Sequence, residues 1–199
     1  MLTINEARTL YSQVEDTTHD FDHVQRVYRL AERIGQEEGA DMAVLRTACL
    51  LHDIARADQD AGRIKNHAAE GAVRVREVLD GQPPEFVEAV AQAVATHSFR
   101  DGNAVPESLE ARILFDADKL DAIGAIGVAR AFTFGCRRGR RLWAPLSSDE
   151  HTAYTEYDVK LRQIKDRLFT PAARAIAQER HTFMTEFFDR LAQEVNGEL

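Results

Sequence analysis

The sequence predicts an all-α protein, folded as a single helical bundle over residues 1–199. Apolar residues recur at helical spacing in the long segments, residues that favour helix ends punctuate the runs, and no convincing alternating strand appears. After Thr18, a plausible N-cap, Val24, Val27, Tyr28, Ala31 and Ile34 fall on one face, and Gly39 ends the run. MAVLRTACLLHDIA (42–55) is apolar almost all the way round, as expected of a central helix packed on several sides. A third helix is expected from about Asn66 to Leu79, with Ala68, Ala72, Val75 and Leu79 inward, stopping at Gly81, Pro83 and Pro84. A fourth follows the prolines and turns Phe86, Val90, Ala93, Val94 and His97 to one side.

Residues 100–106 read as a loop, and SLEARILFDADKLDAIGAIGVARAF then runs apolar to Phe132, broken by a few charges and two glycines. RRGRRLWAPLSS (137–148) reads as a basic loop. Two amphipathic helices close the chain. Tyr157, Leu161, Ile164 and Leu168 mark the first; Thr170-Pro171 opens the second, lined by Ile176, Phe183, Phe187 and Leu191. The motif-bearing core spans about 18–135 and the C-terminal helical pair about 149–195.

Composition narrows the function. At 199 residues the chain is long enough to bury a substantial core, and 44% apolar against 29% charged residues excludes bulk disorder. With 25 Lys and Arg against 33 Asp and Glu, the formal charge is -8, which argues against nucleic acid as the main partner. A small phosphorylated substrate held by a metal and a few local arginines stays compatible. Cys49 and Cys136 lie far apart and form no CxxC pair, so a reducing cytoplasm is expected. The first twenty residues show no basic start and apolar core of a leader, and no run nears the roughly 18 apolar residues of a membrane helix.

The chemistry concentrates in one constellation. His52-Asp53 ends the most apolar helix, and a buried imidazole beside a buried carboxylate is costly unless something pairs with both. A divalent cation does so: the carboxylate neutralises charge and neutral imidazole supplies a nitrogen ligand. Adjacent helix residues point about 100° apart, so the remaining ligands must come from other helices. His23, on the shoulder of the first amphipathic face, and Asp118, inside an otherwise apolar segment, are the candidates. Four ligands from three helices leave coordination positions open, as a catalytic site requires. The competing reading is four polar residues that cap helices or pair with each other in the core.

HDFDHVQRV, LLHDIA and LFDADKLDAIGAIGVARAF together resemble the HD-domain superfamily of metal-dependent phosphohydrolases. NHAAEGAV, ATHSF and the stretch from His151 to Met184 extend the likeness to a small stand-alone bacterial subgroup, over about residues 15–190. Some members of that subgroup hydrolyse nucleoside triphosphates to monophosphate and pyrophosphate. The family's ligand order, H…HD…D, falls on His23, His52, Asp53 and Asp118. The resemblance thus implies one divalent ion (Mn, Co, Ni, Fe, Zn or Mg) that activates water for attack on a phosphoester or phosphoanhydride. Binuclear relatives bind a second metal through two further histidines, and His67 and His97 are placed to do that, to move protons or to hold phosphate.

Further roles rest on position. Asp121 is a candidate to orient a ligand or transfer a proton, and Lys119, Arg26, Arg56 and Arg138 are candidates for contacting substrate phosphate. For Arg26 an exposed salt bridge is the competing explanation, and for Arg138 a solvated basic loop. Arg56 and Ala57 stand where hydrolases of guanosine tetraphosphate and pentaphosphate carry an acidic pair, which argues against that substrate. His19 and Asp20 read as a helix start. Two rival functions remain: a di-iron oxygenase of the same fold, using all of His23, His52, Asp53, His67, His97 and Asp118, and a ligand-binding module without turnover.

Overall fold

The computed structural model describes residues 2–11, 20–98 and 105–199, and among these the chain forms helices and turns with no strand. Helix α1 (Ile4–Leu10) opens with a capping box in which the Thr3 hydroxyl accepts from the Glu6 N–H and the Glu6 carboxylate accepts from the Thr3 N–H. Periodicity does not reveal so short a helix, although Thr-x-x-Glu marks its start. Helix α2 (Phe21–Glu38) is capped by Asp20, whose carboxylate accepts from the His23 N–H, and it ends at Gly39 with φ 76°. The expected cap Thr18 lies outside the described residues, and Asp20 fills that role.

Helix α3 (Met42–Leu51) is shorter than the apolar run suggests. Its ladder stops at Leu51: the Leu51 carbonyl accepts from the Ile54 N–H, and the chain turns before a short helix α4 (Arg56–Asp60). Helix α5 (His67–Val78) starts after Asn66, whose side chain accepts from the Ala69 N–H. Helix α6 (Pro84–Thr96) places its first proline where a missing N–H costs nothing. Most of the expected 100–106 loop lies outside the described residues. Helices α7 (Leu109–Leu120), α8 (Gly124–Arg137), α9 (Ala153–Val159) and α10 (Pro171–Asn196) follow.

The described chain divides into two compact units, residues 1–118 and 119–199, with the boundary near the end of α7. In the first unit α2 packs on α3, α3 on α6, and α5 on α6. Val24, Val27, Ala31, Leu45, Ala48, Val75, Val90 and Val94 are all buried, as the helical spacing requires. Ion pairs tie neighbouring helices at the rim, Arg46 to Glu32 and Arg76 to Glu88. A satellite cluster of Ala7, Tyr11, Phe21, Val24 and Leu50 seats α1 beside α3, and the Tyr11 hydroxyl donates to the Leu50 carbonyl at 3.1 Å.

In the second unit α10 packs on α8. The buried residues of α10 are Ala172, Ala173, Ile176, Ala177, Met184 and Phe188, whereas Phe183, expected inside, is 46% exposed. Four of these six are Ala or Met, so a stripe drawn through the aromatic side chains lands about one residue round the helix. The helix expected through Tyr157 and Leu168 is also split. Its α-helical part ends at Val159, Lys160 leaves helical geometry, and Leu161–Asp166 continues as a 3-10 turn.

The two glycines of the apolar 109–132 stretch are required by geometry. Gly124 has φ 76°, and a Cβ on Gly127 would stand 2.3 Å from the Ala122 carbonyl oxygen. That neighbour is backbone and cannot swing aside. Gly127→Ala should therefore lower stability by about 2–4 kcal/mol, read from urea midpoints. A loss below about 0.5 kcal/mol would show that the turn after α7 tolerates a side chain.

Candidate metal centre

Six side chains from the first unit converge, with Asp53 at their centre. His23 comes from the first turn of α2, where the Asp20 cap fixes the start of the helix. His52 and Asp53 follow the last residue of α3, His67 opens α5, His97 directly follows α6, and Asp118 lies in α7. The site is thus assembled largely at helix ends, where one residue can leave the ladder without breaking the helix.

The carboxylate of Asp53 divides the six into two sets. Its Oδ2 lies 3.7 Å from Nε2 of both His23 and His52. Its Oδ1 faces Nε2 of His67 at 3.3 Å and of His97 at 3.5 Å. Asp118 completes the first set, with Oδ1 3.4 Å from His23 Nε2. Ligand atoms of His23, His52 and Asp118 lie within 4.8 Å of one another, and so do those of Asp53, His67 and His97. Five of the six are buried; Asp118, at 19% exposure, is the most open.

Proton positions follow from the acceptors. The Nδ1 of His52 sits 2.8 Å from the Cys49 carbonyl and that of His97 sits 2.6 Å from the Val94 carbonyl. A carbonyl oxygen only accepts, so each Nδ1 carries the hydrogen. Burial lowers His52 to about 4 and His67 to about 3, against the pull of the Asp53 charge, so both rings are neutral at pH 7. Burial works to raise Asp53, but the imidazoles around it hold its carboxyl well below the usual range, so it is ionised. The rings of His52 and His67 therefore present lone pairs, and Asp53 presents negative oxygens, to the same small volume.

That donor set fits divalent metal. His52 and His23 Nε2 stand 3.4 Å apart, His67 and His97 Nε2 stand 3.2 Å apart, and such edges suit ions bound at about 2.0–2.2 Å. Uncharged imidazoles and carboxylates are also the protonation states that metal binding demands.

The remaining sequence candidates are placed as follows. Arg26 is half-buried on α2. Arg56 is 12% exposed, pairs with Asp60 at 3.1 Å, and stands near enough to contribute to the lowered pKa of His67. In the second unit, the buried Asp121 carboxylate accepts from Arg130 Nη1 at 2.6 Å, and Arg138 lies 3.6 Å over the Phe134 ring. Lys119 is half-buried. Two contributors were missed from sequence: Gln59, whose Oε1 lies 2.6 Å from His67 Nδ1, and Tyr11, whose phenol is driven well above its usual pKa by burial and by the Asp53 charge. Neither sits in a motif, and α4, which carries Gln59, is too short to show a periodicity.

With this geometry in view, comparison with known proteins is direct. The HD domain family matches residues 20–123, and the chain belongs to that family. It is 38% identical over 192 residues to YpgQ from Bacillus subtilis, covering 92% of this chain and 87% of that protein. The crystal structure of YpgQ in complex with ADP superposes with a TM-score of 0.78 at 34% identity, over 98% of this chain and 99% of that one. An HD-superfamily hydrolase from Bacillus thuringiensis gives a TM-score of 0.75 at 28% identity, over 97% and 96%. No helix of the described residues is long and apolar enough to cross a membrane.

The lowered imidazole pKa values make the metal-free protein acid-sensitive. An unfolded histidine takes up its proton near pH 6.5, whereas folded His52 and His67 do so only near 4 and 3. Between those limits the unfolded chain binds more protons, so stability falls as pH drops from 6.5 towards 4. Urea midpoints of metal-stripped protein should follow that course, and His67→Gln should flatten it. An unaltered slope in the variant would mean that His67 is not held neutral.

Proposed function

We propose that the chain is a metal-dependent phosphohydrolase acting on nucleotides, cleaving a phosphoester or phosphoanhydride bond, such as that between a nucleoside monophosphate and pyrophosphate. The observation that carries this reading is the gathering of lone pairs and carboxylate oxygens around Asp53. Such a buried set repels itself unless a cation or a proton occupies it, and the lowered imidazole pKa values disfavour the proton. The two oxygens of Asp53 face different pairs of histidines, so His23, His52 and Asp118 would hold one ion and Asp53, His67 and His97 would hold a second, rather than His23, His52, Asp53 and Asp118 alone holding a single one.

Bound divalent ions supply Lewis acidity and a hydroxide nucleophile near neutral pH. The protein's own part is to orient and to exclude water. Asp53 and the four histidines hold their ligand atoms in a buried pocket, and the more exposed Asp118 marks the edge open to water and substrate. Arg56 and Arg26 are the first-unit candidates for contacting phosphate. The grip of Arg130 on Asp121 supports a positioning role for that carboxylate rather than proton transfer. The ADP held by YpgQ supports a nucleotide as the substrate class. An acidic chain working in the cytoplasm on a small phosphorylated molecule accords with the net charge of -8.

The test is a panel of nucleoside tri-, di- and monophosphates assayed with Mn first and then the other divalent ions, reading phosphate and pyrophosphate separately. Turnover should need metal, and Asp53→Ala or His52→Ala should abolish both metal uptake and turnover with helicity retained. Mn at a hundred times its Kd should stabilise the stripped wild type by about 2.7 kcal/mol and leave Asp53→Ala unmoved. Full activity in either variant would remove the site. Oxygen-dependent turnover with two irons per chain would replace hydrolysis by oxygenation.

A further inference from the structure

His67 differs from the other two histidines whose Nδ1 partners are known. His52 and His97 each donate Nδ1–H to the carbonyl three residues earlier in their own helix. His67 opens its helix and has no preceding turn to use. Its ring instead meets the side chain of Gln59, eight residues upstream on α4. One oxygen, Gln59 Oε1, lies 2.8 Å from the His67 backbone N and 2.6 Å from its Nδ1. The backbone N–H donates whatever the state of the ring, so the Gln59 atom facing it must be the amide oxygen. That oxygen is a pure acceptor, so the ring nitrogen beside it must also carry hydrogen. The tautomer of His67 is then decided, and its Nε2 lone pair is directed at Asp53 Oδ1, 3.3 Å away, and at His97 Nε2, 3.2 Å away.

The short helix that carries Gln59 is itself secured. The carboxylate of the preceding residue, Asp58, accepts from Arg74 of α5 and from Arg63. Charge pairing between α4 and α5 thus holds the amide over the ring that opens α5. Helix α5 does not need Gln59 to start, because Asn66 already caps it.

We propose that Gln59 is a positioning residue that sets the tautomer of His67 and, through it, the affinity of the Asp53–His67–His97 ligand set for a divalent ion. The second half rests on the metal-centre reading above; the first half stands on the metal-free protein. If Gln59 were only a cap for the His67 N–H, its loss would lower stability and leave the ring's proton where it is.

The experiment pairs Gln59→Ala with Gln59→Glu, which keeps an oxygen acceptor for both hydrogens. Nitrogen NMR of metal-stripped protein labelled at histidine should show His67 as the Nδ1–H form in the wild type and in Gln59→Glu, and as a mixture of tautomers in Gln59→Ala. Mn titration followed by calorimetry should find two ions in the wild type. In Gln59→Ala the weaker step should weaken further by about 10- to 100-fold with the other unchanged. Gln59→Glu should restore it. An Nε2–H ring in the wild type, or the same tautomer in Gln59→Ala as in the wild type, would overturn the role of Gln59 whatever the metal result. A wild-type chain that binds no divalent ion would instead sink the metal-centre reading, and the affinity half of this inference with it.

Discussion

The structure turns on an arrangement that a protein interior should reject. Around Asp53, four buried imidazoles bring their Nε2 atoms to within 3.2–3.7 Å of each other or of its carboxylate oxygens, and burial keeps at least His52 and His67 neutral. Burial removes the water that would otherwise separate them, and low dielectric strengthens the mutual repulsion. Folding alone does not favour such a cluster, so the packing of α2, α3, α5 and α6 has to hold it together. The core around it is correspondingly well filled, with Leu45, Leu51, Val75 and Val90 wholly buried.

The helices aim the rings as well as carry them. His52 and His97 lie where α3 and α6 stop, and each ring donates to a carbonyl of the last turn that the ladder would leave unpaired. A helix end thereby satisfies one of its own orphan groups and selects the tautomer of a buried imidazole with the same bond. At a helix start the free groups are N–H, not carbonyl, so His67 needs an oxygen from elsewhere, and α4 supplies it.

Much of this was legible in the sequence, for reasons that differ by element. The stripes of α2 and α5 stand out because large or repeated apolar residues mark them, and the caps Gly39 and Asn66 bound them. His23, His52, Asp53 and Asp118 were legible because polar residues at buried positions of apolar segments demand a partner. His97 was legible as inward-facing and His67 as a candidate partner, but sequence could not show that they meet the far oxygen of Asp53, since that needs the register of three helices. The buried stripe of α10 was placed correctly at Ile176 but drifted by one residue further along, where Met184 and Phe188 rather than Phe183 turn inward, because adjacent large apolar residues leave the face ambiguous. Gln59 was invisible because its role depends on a contact between two elements and on no periodicity.

The carbonyl clamps on His52 and His97 also govern how the centre can be inherited or moved. Each ring is fastened to its own backbone, so ring and helix end travel as one rigid piece. A residue inserted within α3 or α6 would swing the imidazole by roughly 100° and take it out of the cluster around Asp53, whereas a longer connection between the helices would leave it alone. Descendants of this chain are therefore free to vary in their linkers and not in their rods. A designer transplanting the centre would have to copy two helix termini whole, since the side chains alone would arrive without their bearings.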